Sequence, residues 1–127
     1  MSRRTESGQA LVETALVLPV ILAMVLGIFG FGRLFNAQLV ITNASREGAR
    51  VGALGRADDG IKQSVNKYLT GAGLTERVAI SIDRPPSPDG PDVHVAIRYP
   101  FHTGIALPGV PDPLYLTSSA EMRMENQ

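Results

Sequence analysis

A long apolar helix running into a small α+β domain is the fold class this sequence predicts, and three observations predict it. No charged side chain occurs between Ala15 and Gly32. Beyond that run, small and apolar residues recur at alternating steps of three and four as far as Gly55, the signature of a helix with one buried face. The C-terminal part then holds three segments in which apolar and polar residues alternate, the period of half-buried strands.

The charge-free run has about 18 residues and would span roughly 27 Å as a helix, close to the hydrocarbon core of a bilayer. Buried helices of small soluble domains carry shorter apolar runs, about 10 to 14 residues, and the rest of this chain is too short to wrap the segment. It therefore reads as a membrane span. Glu13 stands a turn inside the apolar stretch, where a carboxylate in lipid costs about 2.5 to 3.5 kcal/mol near a helix centre and less near an end. Two readings of Glu13 stay open: it reaches back to the headgroup layer, or it meets a partner cation. Pro19 removes one backbone donor and presses on the carbonyl of Ala15, so a kink or loosened turn is expected there. Ala23, Gly27 and Gly30 put small residues near one face, and the Ala23–Gly27 pair has the spacing that lets helices approach closely.

The helix is expected to continue past Gly32 on a stripe of Leu34, Ala37, Ile41, Ala44, Gly48, Val51 and Gly55. From about Gln9 to about Gly55 it would be near 70 Å long, a length that makes sense only with partners along it. Its first half would pack on lipid or neighbouring helices and its second half on its own C-terminal domain. Glu47 precedes Arg50 by three residues, a helical ion pair of small worth on an exposed face, whereas Arg46 and Arg50 repel.

GRADDG, residues 55–60, reads as a turn with Asp58 or Asp59 capping a second helix. In that helix Ile61, Val65, Tyr68 and Leu69 share a face, Lys62 and Lys67 point away, and Gly71 and Gly73 stop it. The strand faces are Val78, Ile80 and Ile82; then Val93, Val95, Ile97 and Tyr99; then Leu114, Leu116, Ala120, Met122 and Met124. RPPSPDGP is too stiff for a two-residue hairpin turn, and PFHTGIALPGVPDP is an irregular crossing with an apolar centre from Ile105 to Leu107. A sheet of about three antiparallel strands cannot leave its apolar face bare, so the second half of the long helix and the short helix should cover it.

Composition narrows the function. The 127 residues carry twelve basic and twelve acidic side chains, no cysteine and no tryptophan. Zero formal charge favours neither nucleic acid nor an anionic surface as the main partner, and disulfides and thiol catalysis are excluded. His94, mid-strand, and His102, in a loop, make a poor metal set without cysteine or a recognisable acidic spacing. Asp58 and Asp59 read as caps, and Ser118 and Ser119 lie in a strand without a nucleophile turn. With no catalytic constellation, the expectation is a protein that is not an enzyme and needs no cofactor or metal.

The N-terminal residues resemble a known signal. MSRRTESG carries Arg3 and Arg4, and Gly8 is followed by Gln9, Ala10, Leu11, Val12, Glu13 and the apolar run. This is similar to the type IV prepilin processing signal, in which a membrane peptidase cuts after the glycine and a glutamate is fifth in the mature chain; Gly8 and Glu13 stand in those places. Over Gly8 to Leu54 the chain further resembles the TadE-like minor pilins, or pseudopilins, of tight-adherence (Flp-type) pilus systems. The matching residues are Gln9, Ala10, Val12, Glu13, Ala15, Pro19, Gly32, Arg33, Asn43, Ala44, Arg46, Glu47, Ala49 and Arg50.

That resemblance implies a type IV pilin-like fold divided into a leader (1–8), the transmembrane half of the long helix (9–32), its soluble half (33–56) and a small extracytoplasmic α+β domain (57–127). It implies as partners a prepilin peptidase, other pilins, an assembly platform, an ATPase, and inner-membrane lipid before assembly. Glu13 would pair with the new N-terminal ammonium of a neighbour and set axial register. Gln9 departs from the Phe usual in type IV pilins, and an N-terminal Gln can cyclise and lose that ammonium. Arg3 and Arg4 favour a cytoplasmic N terminus, partly offset by Arg33. Ser2-Arg3-Arg4 also reads as the start of a twin-arginine export signal, though the Phe-Leu-Lys that follows in such signals is missing. Two functional classes remain: a processed subunit that enters or initiates a pilus filament, and a permanently anchored envelope binding module with RPPSPDGP and FHTGIALPG as its ligand surface.

Overall fold

A computed structural model of the chain describes the backbone of residues 3–88, 90–104 and 109–124, with side chains from residue 8 onward. The element order is α1 (Arg3–Ala53), α2 (Asp58–Gly71), β1 (Ala79–Asp83), β2 (Asp92–Phe101) and β3 (Leu114–Arg123). This is an α+β architecture, a long N-terminal helix followed by a short helix and a three-stranded antiparallel sheet among the described residues. Two compact units divide it, Met1–Arg33 and Leu34–Gln127.

The first unit is the apolar part of α1. It is α-helical on both sides of Pro19, and Gly27 alone among residues 8–33 is half-buried, the rest being exposed. Leu11, Leu16 and Ile28 are each more than two-thirds exposed, so the described residues supply no cover for this surface.

The second unit has a core built from one face of every element. Residues Ala37, Ile41, Ala44 and Ala49 of α1 meet Ile61, Val65 and Leu69 of α2, and both helices lie on Val93, Val95, Ile97, Tyr99 and Phe101 of β2 with Leu116 of β3. Strand β2 is central in the order β1-β2-β3, which is why all five of its inward residues are buried while the inward residues of β1 are half-buried. The register pairs Ile80 with Ile97, and Ile97 with Ser118. Each fully buried Val, Leu or Ile contributes roughly 1.5 to 3 kcal/mol.

The helical stripe departs from the expected one at its end. Leu34, Ala37, Ile41, Ala44 and Gly48 face inward, but the buried surface then rotates to Ala49, Gly52 and Ala53 while Val51 is half-buried and Gly55 lies beyond the helix. A straight helix gains about 20° per heptad on a seven-residue repeat, and here the drift moves the contact line by one residue.

The turn before α2 is shorter than expected. Ala57 is the N-cap, with extended backbone and no side-chain cap, and its carbonyl accepts from the Ile61 amide at 3.2 Å, so Asp58, Asp59 and Gly60 are already helical. The two aspartates act on the helix dipole from the first turn instead of capping it. Asp58 also pairs with Arg84 at 2.6 Å, tying α2 to the segment after β1. Tyr68 flanks the buried row Ile61-Val65-Leu69 and is 40% exposed. Gly73, at φ +82°, completes a Schellman stop: its amide donates to Thr70 O at 3.0 Å and the Leu74 amide to Leu69 O at 2.9 Å.

Residues 84–91 join β1 to β2, closed by the Asp92 amide on Pro85 O at 3.3 Å. The β2–β3 connection is held at its ends by His102 Nδ1 and Asp112 Oδ1, 3.2 Å apart; its expected apolar centre, Ile105 to Leu107, falls outside the described residues.

Candidate functional site

The exposed part of α1 is the candidate site, and it is assembled from residues the helix cannot hide. Gly8, Gln9 and Glu13 lie on its first described turns, all exposed. Thr14, next to Glu13, donates its Oγ1 hydroxyl to the Ala10 carbonyl at 2.9 Å, which satisfies the hydroxyl within the helix itself. A Cβ added at Gly8, Gly27, Gly30 or Gly32 would meet nothing within 4 Å among the described residues. Ala23 is likewise exposed. Among the described residues, no packing contact asks for small residues at these positions.

Gly48 behaves differently. A Cβ there would stand 2.7 Å from Val65 Cγ2 and 3.2 Å from Val95 Cγ1, and at Gly52 one would stand 2.6 Å from Val93 Cγ1 and 3.0 Å from Ile61 Cδ1. These two glycines let α1 settle onto α2 and β2 at once. One turn of small residues thus serves the interior of the second unit.

Glu47 and Arg50 form a two-pronged pair on the outside, with Nε to Oε2 at 3.1 Å and Nη2 to Oε1 at 3.2 Å. The hydrogen bond to Glu47, and then its charge, raise Arg50 above the ordinary guanidinium value. The pair is open to solvent, with 64% of the Arg50 side chain exposed, so its role in stability is minor.

A polar bridge between α1 and β3 was invisible in the sequence. Gln38 Nε2 donates to Thr117 O at 3.1 Å, Ser45 Oγ lies 3.2 Å from Ser118 Oγ, and Ser118 Oγ donates to Thr42 Oγ1 at 3.3 Å. Ser45 also donates to Thr42 O at 2.8 Å and is fully buried. The one available signal was the gap in the apolar alternation of β3, where Ser118 stands between Leu116 and Ala120 on the inward face.

The outer sheet face carries Arg98 with its guanidinium 4.0 Å from the centroid of the Tyr115 ring, and His94 with Nδ1 4.0 Å from Asp83 Oδ2. Groups of three or more metal-ligating side chains are absent among the described residues. Ser118 is engaged by Thr42 and Ser45, not by a base.

An exposed apolar helix followed by a short helix and one small antiparallel sheet makes an α+β, pilin-like architecture. Among the described residues one helix, Gly8–Ala53, is long and apolar enough to cross a membrane, with a mean hydropathy of 2.5 over its most apolar window and none of that window buried, which fits a single-pass anchor. Residues 8–50, about a third of the chain, match the family model described as TadE-like protein. Through this segment the chain is similar to the TadE-like family. No curated protein and no solved structure matches the chain significantly.

Proposed function

We propose that this chain is a non-enzymatic pilus assembly subunit, cut between Gly8 and Gln9 by a prepilin peptidase and then incorporated into, or used to initiate, a tight-adherence filament. Before assembly it is a single-pass inner-membrane protein with its N terminus in the cytoplasm and its head outside. The observation that carries this reading is that the family match opens at Gly8, where no contact among the described residues explains a glycine, and runs on through a helix whose apolar surface those residues leave bare.

The mechanism follows from the charges. In lipid, Glu13 is an unfavourable group held near the end of the span, and release of a new N-terminal amine at Gln9 creates a cation that a neighbouring copy can bring to it. Two opposite charges inside a dry helical bundle penalise every wrong axial register, since a slip leaves both unpaired. Pro19 and the small residues Ala23, Gly27 and Gly30 then let neighbouring helices bend and approach.

Intact mass of the protein from a host with and without the peptidase tests this directly. A loss equal to Met1–Gly8 that depends on the peptidase is expected; native protein that keeps those residues would refute the proposal. Glu13→Gln should be processed but assemble poorly, and normal assembly of that variant would remove the register role.

A further inference from the structure

The apolar surface of α1 does not end where the charge-free run ends. Met24, Ile28, Phe31, Phe35 and Leu39 follow one another at steps of four, three, four and four and are 63–72% exposed. Arg33 sits two residues from both Phe31 and Phe35, roughly opposite them on the helix, and so does not break the stripe. Phe35 and Leu39 belong to the second unit, yet they take no part in its core, because Ala37 and Ile41 occupy the inward face of the same turns. Past Leu39 the outward positions change character at once, to Asn43, Arg46 and Arg50.

Length identifies what covers this extension. Counted from Ala15, the first residue after Glu13 and Thr14, a hydrocarbon layer of about 30 Å takes about 20 residues and ends near Leu34. Phe35 then lies about 1.5 Å and Leu39 about 7.5 Å beyond that boundary, inside and at the outer limit of an interfacial layer of about 5 to 7.5 Å on each side of a bilayer. Aromatic rings and aliphatic side chains gain there by burying apolar surface while the backbone nears water. Arg33, at the edge of the hydrocarbon layer by the same count, is within snorkelling reach of the phosphates.

We propose that Phe35 and Leu39 form a lipid-facing contact of the head, seated in the headgroup and upper acyl layer while the subunit waits in the membrane. This rests on the reading of the charge-free run that opens at Ala15 as the part of α1 that spans the hydrocarbon layer. The competing occupant is a second copy of α1.

The absence of native tryptophan makes the test clean. Single-tryptophan variants Met24→Trp, Phe35→Trp and Leu54→Trp of the full chain are reconstituted in vesicles of phosphatidylethanolamine and phosphatidylglycerol. Some of these vesicles carry lipids brominated either near the headgroup or deep in the acyl chain. Phe35→Trp should be quenched several-fold more by the shallow bromines than Leu54→Trp, and Met24→Trp most by the deep ones, at every protein-to-lipid ratio. Shielding of Phe35→Trp that appears only at high protein density would overturn the proposal in favour of a second copy, and emission typical of water at all densities would overturn it outright. If Met24→Trp is also unquenched, the membrane reading itself fails; if only Phe35→Trp is, that reading stands and this contact falls.

Discussion

The two parts of α1 use the same residues for opposite ends. In both, glycine and alanine alternate with branched aliphatics, but before Arg33 a Cβ on any of Gly27, Gly30 or Gly32 meets open space, and after it a Cβ on Gly48 or Gly52 runs into valines from α2 and β2. Ile41 is fully buried whereas Ile28 is 72% exposed. The lesson is that one helix can be held in two ways: after Leu34 its inward face is buried in the domain's own core, and before it the apolar surface is left exposed by the described residues.

The sharpest break in this comparison is a matched pair of truncations. Ile41→Ala should lower the unfolding free energy of the full chain in detergent by about 2 to 5 kcal/mol, because it empties a closed site. Leu39→Ala, two residues away and 64% exposed, should change it by no more than about 0.5 kcal/mol. Denaturant titration followed by near-ultraviolet circular dichroism of the tyrosines reads both. A similar loss for the two would mean that the buried and exposed faces have been assigned wrongly.

Glycine gives the next effect. Gly52→Ala crowds Val93 and Ile61 and should cost about 1 to 3 kcal/mol, offset in part by the better helix propensity of alanine. Gly27→Ala meets nothing within the chain and should leave head stability unchanged or slightly raised, so the two substitutions differ in sign. Any effect of Gly27→Ala should surface instead in filament yield.

Smaller still is the polar bridge. Ser118→Ala removes the contacts to Thr42 and Ser45 but leaves Ser45 donating to Thr42 O, so a loss of about 0.5 to 1.5 kcal/mol is expected from the same titration. Glu47→Gln marks the floor. Its partner is solvated, and thermal midpoints of the variant and the parent should coincide within error at moderate salt.

Much of this fold was legible because period and burial are directly coupled. Strand β2 alternates Val93, Val95, Ile97 and Tyr99 against polar neighbours, and no other placement buries that set, so its face followed from spacing alone. The elements that misread were those in which a side chain does not decide. Asp58 looked like a cap, but the backbone of Ala57 had already started the helix. Tyr68 shares a broad face with Leu69 yet sits at its margin, where a phenol does better wet. The inward role of Ser118 was obscured because a serine in a strand is equally at home on either face.

By itself the sequence determined that one stretch is apolar and long enough to cross a membrane, that α1 carries on beyond it, and that three half-buried strands follow. These are properties of composition and period, which need no partner to be read. Only the tertiary structure decided which small residues are there to be approached. Gly48, Gly52, Thr42 and Ser45 derive their roles from Val65, Val93 and Ser118, residues distant in the chain, and a close contact is set by where two backbones come to rest.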